Sequence, residues 1–459
     1  MRASRPPGPS HGTESQPPVG SRGPSYQEIL DADTRKVPVI LRTTGTHDVG
    51  PTEIPTEWYL SEEVHELEVD RIWKRTWQMA CREEDIPAVG DTLVYDIVGI
   101  SLVLVRSAPG TVRAFYNSCL HRGRPLRDYP GRVNQLQCPY HGFTWSLDGE
   151  LVSVPSPWDF PDLDRQELRL PEARVSSWGG FVFVNLDATA EPLSAYLGDL
   201  PSHFERWPLE SRVKTVHVAK VMPANWKLVQ EAFMESFHVI TTHPELLRSL
   251  GDTNSQYDAF GNFSRAISAT GVQSPQLDRV LTAQEIVDGA TGRWDDEPPL
   301  VVVPEGATAR AVLADLARKV QRPALGDAVD DLSDAEMLDA IFYTLFPNLH
   351  PWGGYGSRIT YRFRPYGDDH TRSVMECMFL TAGATEQVAA PMQWLDEDQS
   401  WLDAEGLGTL GRVFQQDTFN LKRVQVGVRN NRRQRLMLSR YQELKIRHWY
   451  QLYASLMHL

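Results

Sequence analysis

Two short segments constrain this chain more than its length does. Cys119-Leu120-His121 and Cys138-Pro139-Tyr140-His141 spell Cys-x-His and Cys-x-x-His, with sixteen residues between them. Partners so close in sequence can point at one centre only from a tight loop, and the gap is long enough for a strand and its return. Two thiolates and two imidazoles suit two inorganic centres. One is a closed tetrahedral zinc; the other is a [2Fe–2S] cluster with cysteines on one iron and histidines on the other. Arg122-Gly123 and Gly142-Phe143-Thr144-Trp145 follow directly. Glycines there let backbone N–H groups approach cluster sulfurs, which favours the cluster.

The flanking sequence agrees with a compact β unit. Short β-rich runs occupy Thr92–Ile97, Ile100–Val105, Val112–Asn117 and Gly180–Leu186, separated by turn residues such as Pro109-Gly110 and Asp148-Gly149. Before them, Ser61–Thr76 has helical spacing. After Asp187 the character is mixed. Asn225–Val239 reads as a helix, Asp295–Asp339 as acidic helix and loop, Arg358–Arg364 and Ser373–Leu380 as paired strands, and Trp394–Phe414 as helical. The pattern is α+β. Fifteen of the first 25 residues are Pro, Gly or Ser, so residues 1–25 read as a disordered tail with no secretory h-region.

The remaining composition excludes more than it selects. With 46 basic and 60 acidic residues the net charge is −14, which argues against a nucleic-acid binder. No run approaches the roughly 18 apolar residues of a membrane span. Four cysteines in 459 residues are no disulfide scaffold, so the default compartment is the cytoplasm. Cys81 and Cys377 have no partner pattern and read as buried small hydrophobes.

On Cys119-x-His121-Arg122-Gly123 and Cys138-Pro139-Tyr140-His141-Gly142, the chain resembles the α (large, terminal oxygenase) subunits of Rieske non-haem iron aromatic ring-hydroxylating oxygenases. The resemblance implies an all-β Rieske domain over residues 76–186. It also implies a catalytic mononuclear-iron domain over 26–75 and 187–459, with an antiparallel sheet covered by helices in a helix-grip-like arrangement.

A cluster of this kind relays electrons, so a place that uses them is expected. Glu235, His238 and His243 supply candidates. Glu235 and His238 are three residues apart and so share a helical face, and Pro244 ends the helix at His243. Two imidazoles and one carboxylate form the facial triad of non-haem Fe(II) oxygenases. Spacing does not choose the carboxylate. The resemblance implies Asp417, in Phe414-Gln415-Gln416-Asp417-Thr418, and Glu235 is the alternative. Asn225 matches a residue near the iron in relatives, although a polar helix-start residue would look the same. Most relatives place Asp at position 235, where it links one subunit's cluster to the next subunit's iron. Here that bridge would run from His141 to Glu235 to His238, with His121 the less favoured cluster partner. Some relatives acting on quaternary ammonium compounds also carry Glu.

The resemblance therefore implies a terminal oxygenase using O₂ and electrons that originate in NAD(P)H and arrive through a reductase, with or without a ferredoxin. Its assembly would be a ring of three chains, with or without β subunits. The leading expectation is cis-dihydroxylation of an aromatic or related hydrophobic substrate. The alternative is monooxygenation or oxidative demethylation, for example of a quaternary ammonium compound. A remote alternative is an electron-transfer or zinc-stabilised binding protein. Substrate contacts are expected from Phe233, Phe237, Tyr257–Phe263 and Ile341–Trp352. Gly406–Gly411 spells GxGxxG, but without a preceding strand it is read as coincidence.

Overall fold

The computed structural model describes residues 23–293, 297–383 and 389–459. Of the expected tail, residues 1–22 lie outside that set, whereas 23–25 are ordered. Ser25 caps helix α1 (Tyr26–Asp31) in a capping box with Glu28, and the Pro24 carbonyl accepts from Asn254 Nδ2 at 2.8 Å. The tail therefore ends earlier than its composition implies.

The expected helix over 61–76 divides. Ser61 caps α2 (Glu62–Glu68), and a π turn follows over Val69–Trp73. The π turn places Ile72 and Trp73 in the core.

From Gln78 to Asn185 the chain is all β. Seven strands pair antiparallel in the order Gln78–Arg82, Phe181–Asn185, Glu172–Trp178, Thr111–Tyr116, Ile100–Ala108, Asp91–Ile97 and Gly131–Arg132. Three short strands, Leu136–Gln137, Thr144–Trp145 and Leu151–Ser153, form a second sheet. Their shared core includes Phe115, Leu136, Phe143 and Trp145, together with Cys119 and Cys138. Burying a Phe-sized side chain is worth about 1.5–3 kcal/mol. The buried Trp145 indole N–H is satisfied by the Leu168 carbonyl at 2.7 Å.

The second half is built on an eight-stranded sheet. Its order is Leu250–Phe260, Phe263–Thr270, Ala340–Leu345, Leu349–Gly353, Ile359–Tyr366, Asp369–Ala382, Arg212–Met222 and Gln393–Leu395. All neighbours are antiparallel except the last pair. Helices accompany it, among them α3 (Trp226–Glu231), α4 (Val239–Thr242), α5 (Ala309–Leu325), α6 (Leu410–Arg429) and α7 (Leu444–Met457). This is the expected α+β arrangement, and the paired strands around 358–380 are present.

Two helical expectations need correction. The span 225–239 is not one helix: α3 ends at Glu231, a turn follows, and α4 begins only at Val239. The helical pattern over 394–414 begins as a strand, Gln393–Leu395, and two 3₁₀ turns; α6 starts only at Leu410. The GxGxxG stretch runs through the second of these turns into α6, with Gly408 in the left-handed region. No helix among the described residues is long and apolar enough to cross a membrane.

Candidate metal centres

The two Cys/His loops are conformational twins. Cys119 N–H donates to the Arg124 carbonyl at 2.9 Å, and Cys138 N–H donates to the Phe143 carbonyl at 2.8 Å. Gly123 and Gly142 then donate back to the Cys119 and Cys138 carbonyls, at 2.8 and 3.1 Å. Each closing glycine has a positive φ, +76° and +78°, where a side chain is strained. The loops bring Cys119 and Cys138 together in the core while the two imidazoles meet edge to face, with ring centroids 4.8 Å apart. Phe143 stacks on His121 at 4.6 Å and 11°, fixing its plane.

The donors fit a cluster. His121 Nδ1 is buried and has no hydrogen-bond partner among the described residues, as a nitrogen intended for a metal would be. Burial raises the Cys119 thiol pKa, the His121 N–H pulls it back, Cys138 raises it further, and the Arg122 N–H again lowers it. Those two N–H groups are aimed at the sulfur, the arrangement that tunes a cluster. Burial, His141 and Arg122 together lower the His121 pKa. Cys81 and Cys377 are buried free thiols whose pKa values burial raises strongly, and they belong to the core as expected.

The second centre is assembled from distant elements. His238 and His243 occupy the two ends of the four-residue α4, as its N-cap and C-cap. Asp417 projects from α6, 174 residues beyond His243. Its Oδ1 lies 3.0 Å from His243 Nε2 and 3.6 Å from His238 Nε2. Among the described residues these three form the one group of ligand atoms gathered within 4.8 Å. Two imidazoles and a carboxylate are the donor set of a non-haem iron site.

The outer ring nitrogens are fixed as well. His238 Nδ1 lies 2.7 Å from Glu235 Oε1, and His243 Nδ1 lies 2.8 Å from Gln416 Oε1. Gln416 Nε2 donates to the Glu245 carboxylate at 3.0 Å. A carboxylate only accepts, so the amide is oriented with its oxygen toward His243. With a metal bound, each Nδ1 would carry the proton and each Nε2 lone pair would face the common centre. Burial opposes protonation of His238, but Glu235 and then Asp417 outweigh it and raise its pKa to about 9 without a metal.

Glu235 is not on a helix. It lies in the turn between α3 and α4, and its Oε2 accepts from the backbone N–H groups of Phe237 and of His238, the latter at 3.0 Å. The expected Glu235–His238 proximity thus arises from a capping turn. Because Glu235 engages Nδ1, the edge opposite Nε2, it does not share a centre with Asp417. Among the described residues no contact within the chain joins Glu235 to His121 or His141.

Asn225 is the N-cap of α3. Its Oδ1 accepts from Lys227 N–H at 3.0 Å, and its Nδ2 donates to the His370 carbonyl at 2.8 Å. The structure does not bring it into the iron cavity. Gln416, which holds His243 Nδ1, is a contact that sequence reasoning misses. It lies beside Asp417, but nothing in its spacing marks it.

The triad opens on a cavity of about 620 Å³, walled by Phe233, Phe342, Trp352, Tyr361 and Phe414, within the roughly 300–1,000 Å³ range of small-molecule sites. Of the expected lining residues, Phe233, Phe342 and Trp352 are present. Phe237 is instead 43% exposed, and Tyr257 sits behind the wall, where its hydroxyl oxygen accepts from the Ser236 N–H at 3.1 Å.

The fold and sites define a chain with an iron–sulfur lobe and a mononuclear metal pocket. Residues 76–164 match the Rieske [2Fe–2S] domain, and residues 202–459 match the ring hydroxylating alpha subunit (catalytic domain). The chain belongs to the ring-hydroxylating alpha subunit family. It is 33% identical over 198 residues to the glycine betaine monooxygenase oxygenase subunit of Pseudomonas aeruginosa, a stretch covering 43% of this chain and 46% of that one. It is 32% identical over 202 residues to the anthranilate 1,2-dioxygenase large subunit of Acinetobacter baylyi, covering 42% and 43%. The chain thus spans about half the length of these curated relatives. Its fold is similar to that of a quaternary ammonium Rieske monooxygenase in complex with L-carnitine, with TM-score 0.64 and 18% identity over 89% of this chain and 96% of that one. It is also similar to naphthalene 1,2-dioxygenase from Rhodococcus sp. bound to indole, with TM-score 0.61 and 20% identity over 88% and 94%.

Proposed function

We propose that this chain is the terminal oxygenase of a multicomponent Rieske system, and that it monooxygenates a small organic substrate by oxidative demethylation of a quaternary ammonium compound. The observation that carries the reading is the His238–His243–Asp417 triad facing an aromatic-walled cavity in a chain that also holds the twin Cys/His loops. Aromatic faces attract quaternary ammonium groups. Glycine betaine and carnitine monooxygenases recur among the relatives, and the family resemblance puts Glu at position 235 in some enzymes acting on quaternary ammonium compounds, where most relatives carry Asp. These points favour monooxygenation over the aromatic cis-dihydroxylation expected from the sequence. Dihydroxylation is kept as a second reading because of the 32% identity to anthranilate 1,2-dioxygenase.

In this reading Cys119, His121, Cys138 and His141 hold the cluster within residues 76–186. His238, His243 and Asp417 hold a mononuclear iron within 26–75 and 187–459. When bound, the iron supplies O₂ activation with electrons that the cluster relays. Glu235 and Gln416 hold the two imidazoles in register, and the aromatic wall excludes water and orients the substrate. A reductase, with or without a ferredoxin, draws the electrons from NAD(P)H in the cytoplasm. Glu235 lies at the turn where the partner subunit's His141 would complete the bridge in a head-to-tail trimer.

The test is turnover under ¹⁸O₂ with a reductase and either glycine betaine or anthranilate. Formaldehyde release with a single labelled oxygen per turnover supports the proposal. A diol carrying two labelled oxygens establishes the second reading. Uptake of zinc in place of iron, with no turnover, overturns both.

A further inference from the structure

Charged groups around the iron cavity find partners within the chain. Glu235 engages His238, Glu245 engages Gln416, and Arg293 engages Glu297. The serine hydroxyls on the wall are different, because they form a chain whose protons all point one way. Ser236 and Ser268 line the cavity. Ser236 sits in the turn that carries Glu235 and His238, and Ser268 on the strand Phe263–Thr270. Ser255 lies on the neighbouring strand Leu250–Phe260, where the pairing shifts between Gly251 and Gln256. All three serines are buried.

A serine hydroxyl has one proton and two lone pairs, so the donors in this chain can be counted. Ser255 Oγ lies 2.6 Å from the Asp252 carbonyl oxygen and 3.1 Å from that of Gly251. Carbonyls cannot donate, so the Ser255 proton is committed to them. Ser255 Oγ is also 2.6 Å from Ser268 Oγ, a bond that must then use the Ser268 proton. Ser268 Oγ is 2.8 Å from Ser236 Oγ, and by the same logic that bond uses the Ser236 proton. The backbone carbonyls thus fix the direction of all three hydroxyls, and Ser236 can only accept. Its N–H is committed as well, donating to the Tyr257 hydroxyl oxygen at 3.1 Å. One Ser236 lone pair is within reach of that hydroxyl; the other is left for a ligand, two residues before His238 of the iron triad.

We infer that Ser236 is a specificity-determining residue whose Oγ accepts a hydrogen bond from an O–H or N–H group of the substrate. The cavity therefore favours a molecule that carries such a donor over its counterpart that lacks only the donor. A quaternary nitrogen has no N–H, so for an ammonium substrate the donor is a hydroxyl elsewhere in the molecule. The inference deepens the proposed function and rests on the same cavity.

The experiment is isothermal titration calorimetry on the full-length, iron-loaded, unreduced protein with two matched pairs of probes. L-Carnitine is set against γ-butyrobetaine, which lacks only the hydroxyl, and anthranilate against benzoate, which lacks only the amine. In whichever pair binds, the donor-bearing member should bind about tenfold more tightly. Ser236→Ala should bring the two members within about twofold by weakening the donor-bearing one, with the visible cluster spectrum unaltered. Should that variant not fold, Ser236→Cys replaces it, with a weak acceptor in the same shape. Ser268→Ala breaks the same hydroxyl chain but leaves Ser236 able to accept, so it should keep the preference; loss of the preference there, or its survival without the Ser236 hydroxyl, overturns the inference. If anthranilate shows the preference and neither ammonium probe binds, the quaternary ammonium reading falls and the inference stands. If the two ammonium probes bind the wild type equally, the inference is overturned and that reading stands. A wild type that takes none of the four also overturns it.

Discussion

The two metal centres are built by opposite strategies. Each Cys/His pair of the cluster lobe comes from one tight loop, and the two loops repeat the same backbone hydrogen bonds and the same positive-φ glycine. Local chain geometry does most of the work, and the hydrophobic core has only to hold two loops face to face. The iron triad has no such local unit. Two histidines flank a four-residue helix, the carboxylate arrives from 174 residues away, and each imidazole is oriented by a further side chain. A loop-built site should tolerate distant damage and fail through its own backbone. A tertiary-built site should fail through loss of any orienting partner.

That contrast can be tested from the largest effect downward. His238→Ala is expected to reduce turnover by more than about a thousandfold while leaving the visible cluster spectrum intact. Cys138→Ser should erase the spectrum while the mononuclear site still binds iron. Coupled loss at both centres from either change would break the separation. Phe143→Ala removes the ring stacked on His121 and a buried core contact. It should destabilise the cluster lobe by about 3–5 kcal/mol in thermal unfolding.

Gln416→Leu deletes the acceptor for His243 Nδ1 and should weaken iron binding by roughly 10–100-fold in chelator competition, with the cluster unchanged. The twin glycines give the smallest effect and the finest discrimination. A Cβ on Gly123 meets nothing within 4 Å, whereas one on Gly142 meets Pro155 Cγ at 3.3 Å. Gly123→Ala should cost about 1–2 kcal/mol from the backbone alone, and Gly142→Ala should cost measurably more in the same unfolding assay.

The same difference governs how far each centre is legible in the amino-acid sequence. The cluster ligands are legible because their spacing is their geometry, and the β runs around them alternate as half-buried strands do. His238 and His243 are legible as candidates, but the continuous helix expected to carry them does not form. Residues 225–239 keep a helical period, yet the Glu235 carboxylate caps a new turn by taking the Phe237 and His238 N–H groups. A side chain bonding to its own backbone leaves no periodic trace. Asp417 is one carboxylate among many, and family resemblance alone singles it out. Gln416 and Glu245 reach His243 only through contacts across the fold, which no local pattern encodes. Trp394–Phe414 departs from its helical pattern for a related reason, since Gln393–Leu395 is a strand only because Arg212–Met222 offers it an edge.

The central claim is that a carboxylate brought from α6 completes a mononuclear iron site independent of the cluster. Iron and acid-labile sulfide quantification on the wild type and on Asp417→Ala tests it directly. The account predicts roughly three irons and two sulfides per chain in the wild type, and roughly two irons with both sulfides retained in the variant. Unchanged iron content in Asp417→Ala, or zinc in place of iron in the wild type, would contradict it.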